Sequence, residues 1–167
     1  MKYVLAADPG FNGCLCLYRP DPLDIVLFDM PVHHITINNK KKTRIDVYEL
    51  ARFIDSHAEN ISQAFVEAVG ASPLMGTTSA FAFGEGFGLL KGVIAANFIS
   101  MELIRPQIWK KHFGLSQDKD ASRLKASCMF PAYASQWARA KDDGRSESLL
   151  IAVYGLSKTE SVKCPSA

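Results

Sequence analysis

The chain has 167 residues, 48% of them hydrophobic and 22% charged, and a formal net charge of +2. That length suits one domain with a substantial core, and the composition excludes a disordered chain. A charge so near neutral excludes recognition of nucleic acid by bulk electrostatics, so any such partner must be met by local basic clusters.

No uninterrupted apolar run reaches the length of a membrane span, and the basic N-terminus leads into a strand rather than a signal peptide. No membrane association is therefore expected. The cysteines are Cys14, Cys16, Cys128 and Cys164. None forms a CxxC pair, so neither a zinc site nor a redox motif is supported, and a reducing compartment fits.

Tyr3-Val4-Leu5-Ala6-Ala7-Asp8 is a short apolar run stopped by Pro9-Gly10, the pattern of a buried strand and a turn. Asp8 then lies where the strand runs out of cover. Such a carboxylate serves either a metal or phosphate site or simply the turn. Cys14-Leu15-Cys16-Leu17-Tyr18 predicts a second strand, hairpinned to the first. Ile25-Val26-Leu27-Phe28-Asp29-Met30 predicts a third, and the three form an antiparallel meander. Residues 33–44 are expected to be a polar loop. Its Lys40, Lys41, Lys42 and Arg44 are either a solvated charge run or a contact for a phosphate backbone.

Val47, Leu50, Ala51 and Ile54 fall at helical spacing behind Asp46, a suitable N-cap. Ala64-Phe65-Val66-Glu67-Ala68-Val69 predicts a fourth strand, joined to the first by a parallel crossover. Glu67 interrupts that apolar run, where a charge needs a cation, a metal or a strand end. The glycine-rich stretch 81–92 lacks the strand-before, helix-after setting of a dinucleotide loop. Residues 89–98 have a helical pattern instead. Gly84, Gly88 and Gly92 would give that helix a bare face for packing against the sheet or a second subunit.

Met101-Glu102-Leu103-Ile104 predicts a fifth strand. A short helix with Trp109, Lys110 and Lys111 follows, and then a helix over 120–129 near Lys119 and Arg123. The last helix starts near Asp142 and Asp143, where carboxylates suit the dipole. It is apolar on all sides from Leu149 to Tyr154, hence buried. Asp143 and Glu147, four apart, share a face; they are either cap and salt-bridge residues or ligands. Residues 158–167 show no periodicity and are expected to fray, leaving 1–157 as the domain.

Asp8, Glu67, Asp143 and Glu147 thus come from two adjacent strands and a late helix. Clustered carboxylates repel unless a cation neutralises them. Oxygen ligands in that number suit Mg²⁺ or Mn²⁺ rather than zinc. Two ions about 4 Å apart would clamp the attacking and leaving oxygens of a phosphodiester.

Asp8-Pro9-Gly10-Phe11-Asn12-Gly13, Val66-Glu67, Pro106-Gln107-Ile108-Trp109-Lys110-Lys111, Asp118-Lys119-Asp120-Ala121-Ser122-Arg123 and the run from Asp143-Gly144-Arg145-Ser146-Glu147 to Ala152 together resemble a RuvC-like Holliday-junction resolvase, closest to the phage-type and organellar branch. The resemblance spans residues 3–155. It implies an α/β ribonuclease-H-like fold, with a mixed five-stranded sheet of order 3-2-1-4-5, strand 2 antiparallel, flanked by helices. It also implies a Mg²⁺-dependent homodimer with two ions per site that cuts opposing strands of a four-way junction, in the cytoplasm of a bacterial or phage-infected cell or in an organelle. By position, Asp8, Glu67 and Glu147 match the family's acids. Asp143 matches the acid before Gly-Arg, with Asp142 as a substitute. Lys40, Lys41, Lys42, Arg44, Lys110, Lys111, Lys119 and Arg123 are the expected phosphate contacts.

The sequence departs from the family after Glu67, where 70–75 replaces the segment bearing the junction-stacking aromatic; Met75 or Phe81 is the candidate wedge. The rivals are a broader debranching nuclease or ribonuclease H on the same fold, and a junction-binding protein without catalysis. A sugar-kinase-like phosphate domain is a further rival, but that architecture needs a second domain.

Overall fold

The structure, a computed structural model, describes residues 1–70, 75–116, 118 and 120–162, with side chains to 159. A five-stranded sheet organises it. Strands β1 (Tyr3–Asp8), β2 (Cys14–Pro20) and β3 (Leu23–Asp29) form the antiparallel meander expected from the sequence. A hairpin of β4 (Val32–Ile37) and β5 (Lys40–Ile45) follows, then helix α1 (Val47–His57) and strand β6 (Ile61–Glu67). Helix α2 (Thr77–Ala96), strand β7 (Met101–Ile104) and helices α3 (Pro106–His112), α4 (Ala121–Met129) and α5 (Asp143–Val162) complete the chain. The sheet order is β3-β2-β1-β6-β7, with β6 and β7 parallel to β1. With the separate hairpin set aside, this is the expected 3-2-1-4-5 order.

The central strand is apolar and buried from Val4 to Ala7 because both of its faces are covered. Val4 and Ala6 pack with Trp109, Trp137 and Leu149 to Ala152, under α3, α4 and α5. Leu5 and Ala7 pack with Leu50, Ile54, Leu90 and Ile94, under α1 and α2. Alternate side chains of a strand point to opposite faces, so a strand between two helical layers reads as a continuous apolar run. Trp109 and Trp137 are fully buried, and truncation of either to Ala is worth about 3–5 kcal/mol. Cys14 and Cys16 are also fully buried, and loss of hydration pushes the Cys14 thiol up to about 12, so these are inert core residues.

Four sequence expectations need correction. Residues 33–44 are not a loop: they lie in the β4–β5 hairpin, which pairs Val32 with Ile45 and Ile37 with Lys40. Asn38 and Asn39 close it at φ 50° and 57°, the left-handed pair of a tight hairpin turn that asparagine tolerates. The lysine run hid the strand, although lysine on an exposed strand is itself a guard against edge pairing.

Glu67 ends β6 rather than interrupting it, because the strand stops there and not at 69. Helix α2 begins at Thr77, twelve residues before the predicted start, so its glycines lie inside the helix. It is held by Ala82, Gly86, Leu90 and Ile94, all buried at four-residue spacing. A Cβ on Gly86 would sit 2.9 Å from Ile45, so this glycine admits the hairpin. Gly84, Gly88 and Gly92 have nothing within 4 Å of an added Cβ, and packing of that face on the sheet is excluded. This helix is apolar and long enough, at 20 residues, to match a bilayer, but Glu85 and Lys91 interrupt it and Glu85 pairs with Arg44 of the hairpin.

Finally, α5 runs on to Val162, so 158–162 are helical, and Lys158 pairs with Glu102. Residues 163–167 lie outside the described residues.

Candidate active site

The parallel strands β1 and β6 are neighbours in register, Ala7 beside Val66. Asp8 and Glu67 therefore end the two strands side by side, at the edge where ligands of open α/β sheets bind. The turn after Asp8 is fixed by Gly13, whose amide donates to the Gly10 carbonyl at 2.9 Å. An added Cβ on Gly13 would stand 2.1 Å from the Asp8 carbonyl oxygen, so only glycine fits.

Helix α5 reaches this turn through a second glycine. A Cβ on Gly144 would lie 2.7 Å from the Asn12 carbonyl oxygen and 2.8 Å from Gly13 Cα. The backbones are in contact there, and they set Asp143 and Glu147 against the Asp8 turn. Gly144→Ala is expected to cost about 2 kcal/mol of stability through overpacking and to reduce activity more than stability. Urea melts set beside turnover at a temperature where both forms are folded will check this.

Glu67 is buried and accepts a hydrogen bond from Trp109 Nε1 at 3.0 Å. Glu147 accepts one from Ser122 Oγ at 3.0 Å and meets Lys110 Nζ at 3.0 Å. Asp143 forms an ion pair with Arg123, Oδ1 to Nε at 2.8 Å, and both atoms are buried. Asp143 lines two adjoining clefts, one of about 380 Å³ with Asp8 and one of about 550 Å³ with Glu147 and Lys110.

These carboxylates sense one another. Burial, then repulsion from Glu67 and Glu147, pushes Asp8 up to about 7 against the opposing Gly10 amide and Lys110. Burial also raises Glu67, opposed by the Trp109 hydrogen bond and reinforced by Glu147. Asp143 is raised by burial and by Glu147, with Arg123 opposing. Mutual repulsion of partly dehydrated acids is the condition that a bound cation relieves.

The donor set, all carboxylate oxygen, fits a hard divalent ion such as Mg²⁺. Among the described residues no three of these side chains stand close enough to form a finished cage. Lys110 and Arg123 occupy positions beside the acids instead.

The structure separates Asp142 from the others. Its carboxylate is buried and held by Arg139, with Nε at 2.9 Å and Nη2 at 3.0 Å, which keeps it below the usual carboxylate range. Asp142 is a structural cap on the turn into α5, and Asp143 takes the place at the cleft. The expected phosphate contacts also divide. Arg44 is tied to Glu85, Lys110 to Glu147, and Arg123 to Asp120 and Asp143. Lys40, Lys41, Lys42 and Lys111 form no ion pair among the described residues. Lys119 lies outside them, as do residues 71–74 of the segment after Glu67. Phe81 is 71% exposed on α2.

Sequence reasoning missed Trp109 and Ser122 as partners of the acids, and took Lys110 for a backbone contact. A signal existed: an indole in the core needs an acceptor for its N–H, and Glu67 was the acid lacking a partner.

No family model and no curated protein matches the chain. Solved structures do. A structure of Thermus thermophilus RuvC in complex with a Holliday junction substrate matches at 11% identity and a TM-score of 0.63, covering 96% of each chain. A second T. thermophilus RuvC structure matches at 13% identity and a TM-score of 0.55, covering 94% of this chain and 97% of that one. The chain has a RuvC fold. Against RuvC the likeness runs almost end to end, so the sheet, its order and the flanking helices are shared as a whole. At this level of identity the likeness carries the fold, and the site rests on the residues described above.

Proposed function

We propose that this protein is a divalent-metal-dependent endonuclease that resolves four-way DNA junctions by paired nicks and acts as a homodimer. The observation that carries this reading is the mutual repulsion of Asp8 and Glu67, at the ends of β1 and β6, with Glu147 of α5, on a RuvC fold. Asp8, Glu67, Asp143 and Glu147 would hold Mg²⁺, or Mn²⁺ in its place, two ions per site. That metal supplies activation of the attacking water and stabilisation of the leaving 3′ oxygen.

The chain's own residues prepare the site. Trp109 fixes the Glu67 carboxylate, and Ser122 with Lys110 orients Glu147. Lys110 also opposes the charge on Asp8 and Glu67, which lowers the barrier to bringing a phosphate among acids. Lys40, Lys41, Lys42 and Lys111, unpaired among the described residues, are suited to phosphate oxygens and would position the DNA without reading its sequence. The open Gly84, Gly88 and Gly92 face of α2 supports close approach of a second copy, and a two-fold dimer matches the near two-fold symmetry of a junction. The protein would work in a reducing compartment, the cytoplasm of a bacterial or phage-infected cell or an organelle.

Digestion of a synthetic four-way junction, a flap, a linear duplex and an RNA–DNA hybrid, each with and without Mg²⁺, tests the reading. Symmetric nicks in the junction that require Mg²⁺ are expected, from a protein sedimenting as a dimer. Preferential cutting of the hybrid would make it a ribonuclease H, equal cutting of flaps a general debranching nuclease, and tight junction binding without nicks a non-catalytic binder.

A further inference from the structure

Three clefts meet at Phe11, three residues beyond Asp8. One is the carboxylate cleft with Asp8 and Asp143. It shares Asn12, Gly13 and Lys141 with a polar cleft of about 320 Å³ that sets Arg139, Lys141 and Arg145 against Asp29 and Asp142. The third, of about 180 Å³, lies between β5 and the start of α2, with Lys41 and Lys42 in its wall. Phe11 lines all three.

The clefts that adjoin the carboxylates each carry a surplus of cations. In the first cationic cleft two arginines are fixed: Arg145 is bidentate to Asp29, with Nε at 2.6 Å, and Arg139 is bidentate to Asp142. Lys141 meets no acid among the described residues and lines both this cleft and the carboxylate cleft. An anionic strand whose reacting phosphate sits at the carboxylates therefore has Lys141 in the same cleft and Lys41 and Lys42 in the cleft beyond Phe11, none of them paired with an acid among the described residues. The half-buried Phe11 packs against the core cluster, with Cε1 close to Gly86 beside Ile45, and lines the three clefts. A ring anchored in this way presents a rigid platform at low entropic cost, which is what base stacking on a single strand needs.

We propose that Phe11 is a stacking platform for a nucleobase next to the reacting phosphate, with Lys141 holding the neighbouring phosphate. This rests on the nuclease reading above and adds the strand path and its pivot. It requires that the strand be unpaired at that base, as strands at a branch point are.

The test uses a panel of four-way junctions carrying 2-aminopurine at successive positions around the crossover, bound by the full chain in EDTA so that no cutting occurs. Wild type is expected to quench the probe at one position per strand. Phe11→Leu, which keeps apolar packing against Ile45, is expected to abolish that quenching and weaken binding by about tenfold, while Phe11→Tyr retains both. Lys141→Gln is expected to lower the slope of log affinity against log salt by about 0.7–0.9. Full quenching by Phe11→Leu, loss of binding by Phe11→Tyr as well, or an unchanged slope in Lys141→Gln would overturn the proposal and leave the nuclease reading standing. Failure of wild type to bind junctions above linear duplex would overturn both.

Discussion

Asp8→Asn is expected to lower Mg²⁺-dependent nicking of a four-way junction by at least about a thousandfold, equivalent to ~4 kcal/mol of barrier. Asparagine keeps the shape and the Gly10 amide contact but removes the negative oxygen that a hard ion needs. Glu67 and Glu147 both push on Asp8. Binding should go the other way. A phosphate entering the cleft is repelled by these carboxylates in metal-free buffer, so one fewer charge leaves junction affinity in EDTA equal to or tighter than wild type. Gel-shift titration beside single-turnover cleavage separates the two effects. Nicking within tenfold of wild type would remove Asp8 from the metal site, and a large loss of affinity would mean that the substitution had damaged the turn.

Much of this arrangement was legible because the elements that carry it are buried on both sides. The first strand cannot be anything but central when Val4, Leu5, Ala6 and Ala7 are all apolar, and the same holds for Leu149 to Ala152 in α5. Acids at the margins of such runs stand out, and so Asp8, Glu67 and Glu147 could be found without coordinates. The hairpin was not legible, because Lys40, Lys41 and Lys42 satisfy a loop composition as well as an exposed strand; only Asn38 and Asn39 hinted at a tight turn. The early start of α2 was hidden by glycines whose local cost is overridden by packing on Ile45, α1 and the sheet. The choice between Asp142 and Asp143 was beyond sequence in principle. Adjacent residues on a helix start point about 100° apart, and which one meets the cleft depends on Arg139, whose pairing with Asp142 is a local accident of the preceding turn.

The strain among the acids predicts a stability effect opposite to the usual cost of mutating a buried position. In the metal-free protein Asp8 titrates at about 7 against an ordinary 3.8. A carboxyl raised on folding favours the folded state while protonated. Its contribution is complete below pH 3.8, falls as pH rises to about 7, and is constant above that. The difference corresponds to about 4 kcal/mol at pH 8. Asn cannot ionise, so it escapes this loss. Asp8→Asn in EDTA should therefore melt higher than wild type at pH 8, with the advantage shrinking through pH 7 to 4 and vanishing near pH 3.5. Mg²⁺ should reverse the order at pH 8, because binding to the folded state alone stabilises it and wild type binds more tightly. Thermal melts of both proteins across this range, with EDTA and with Mg²⁺, give four curves. A constant offset between the two proteins at all pH values would mean that Asp8 is hydrated and ordinary. It would also mean that Asp8, Glu67 and Glu147 do not repel strongly enough to require a metal ion.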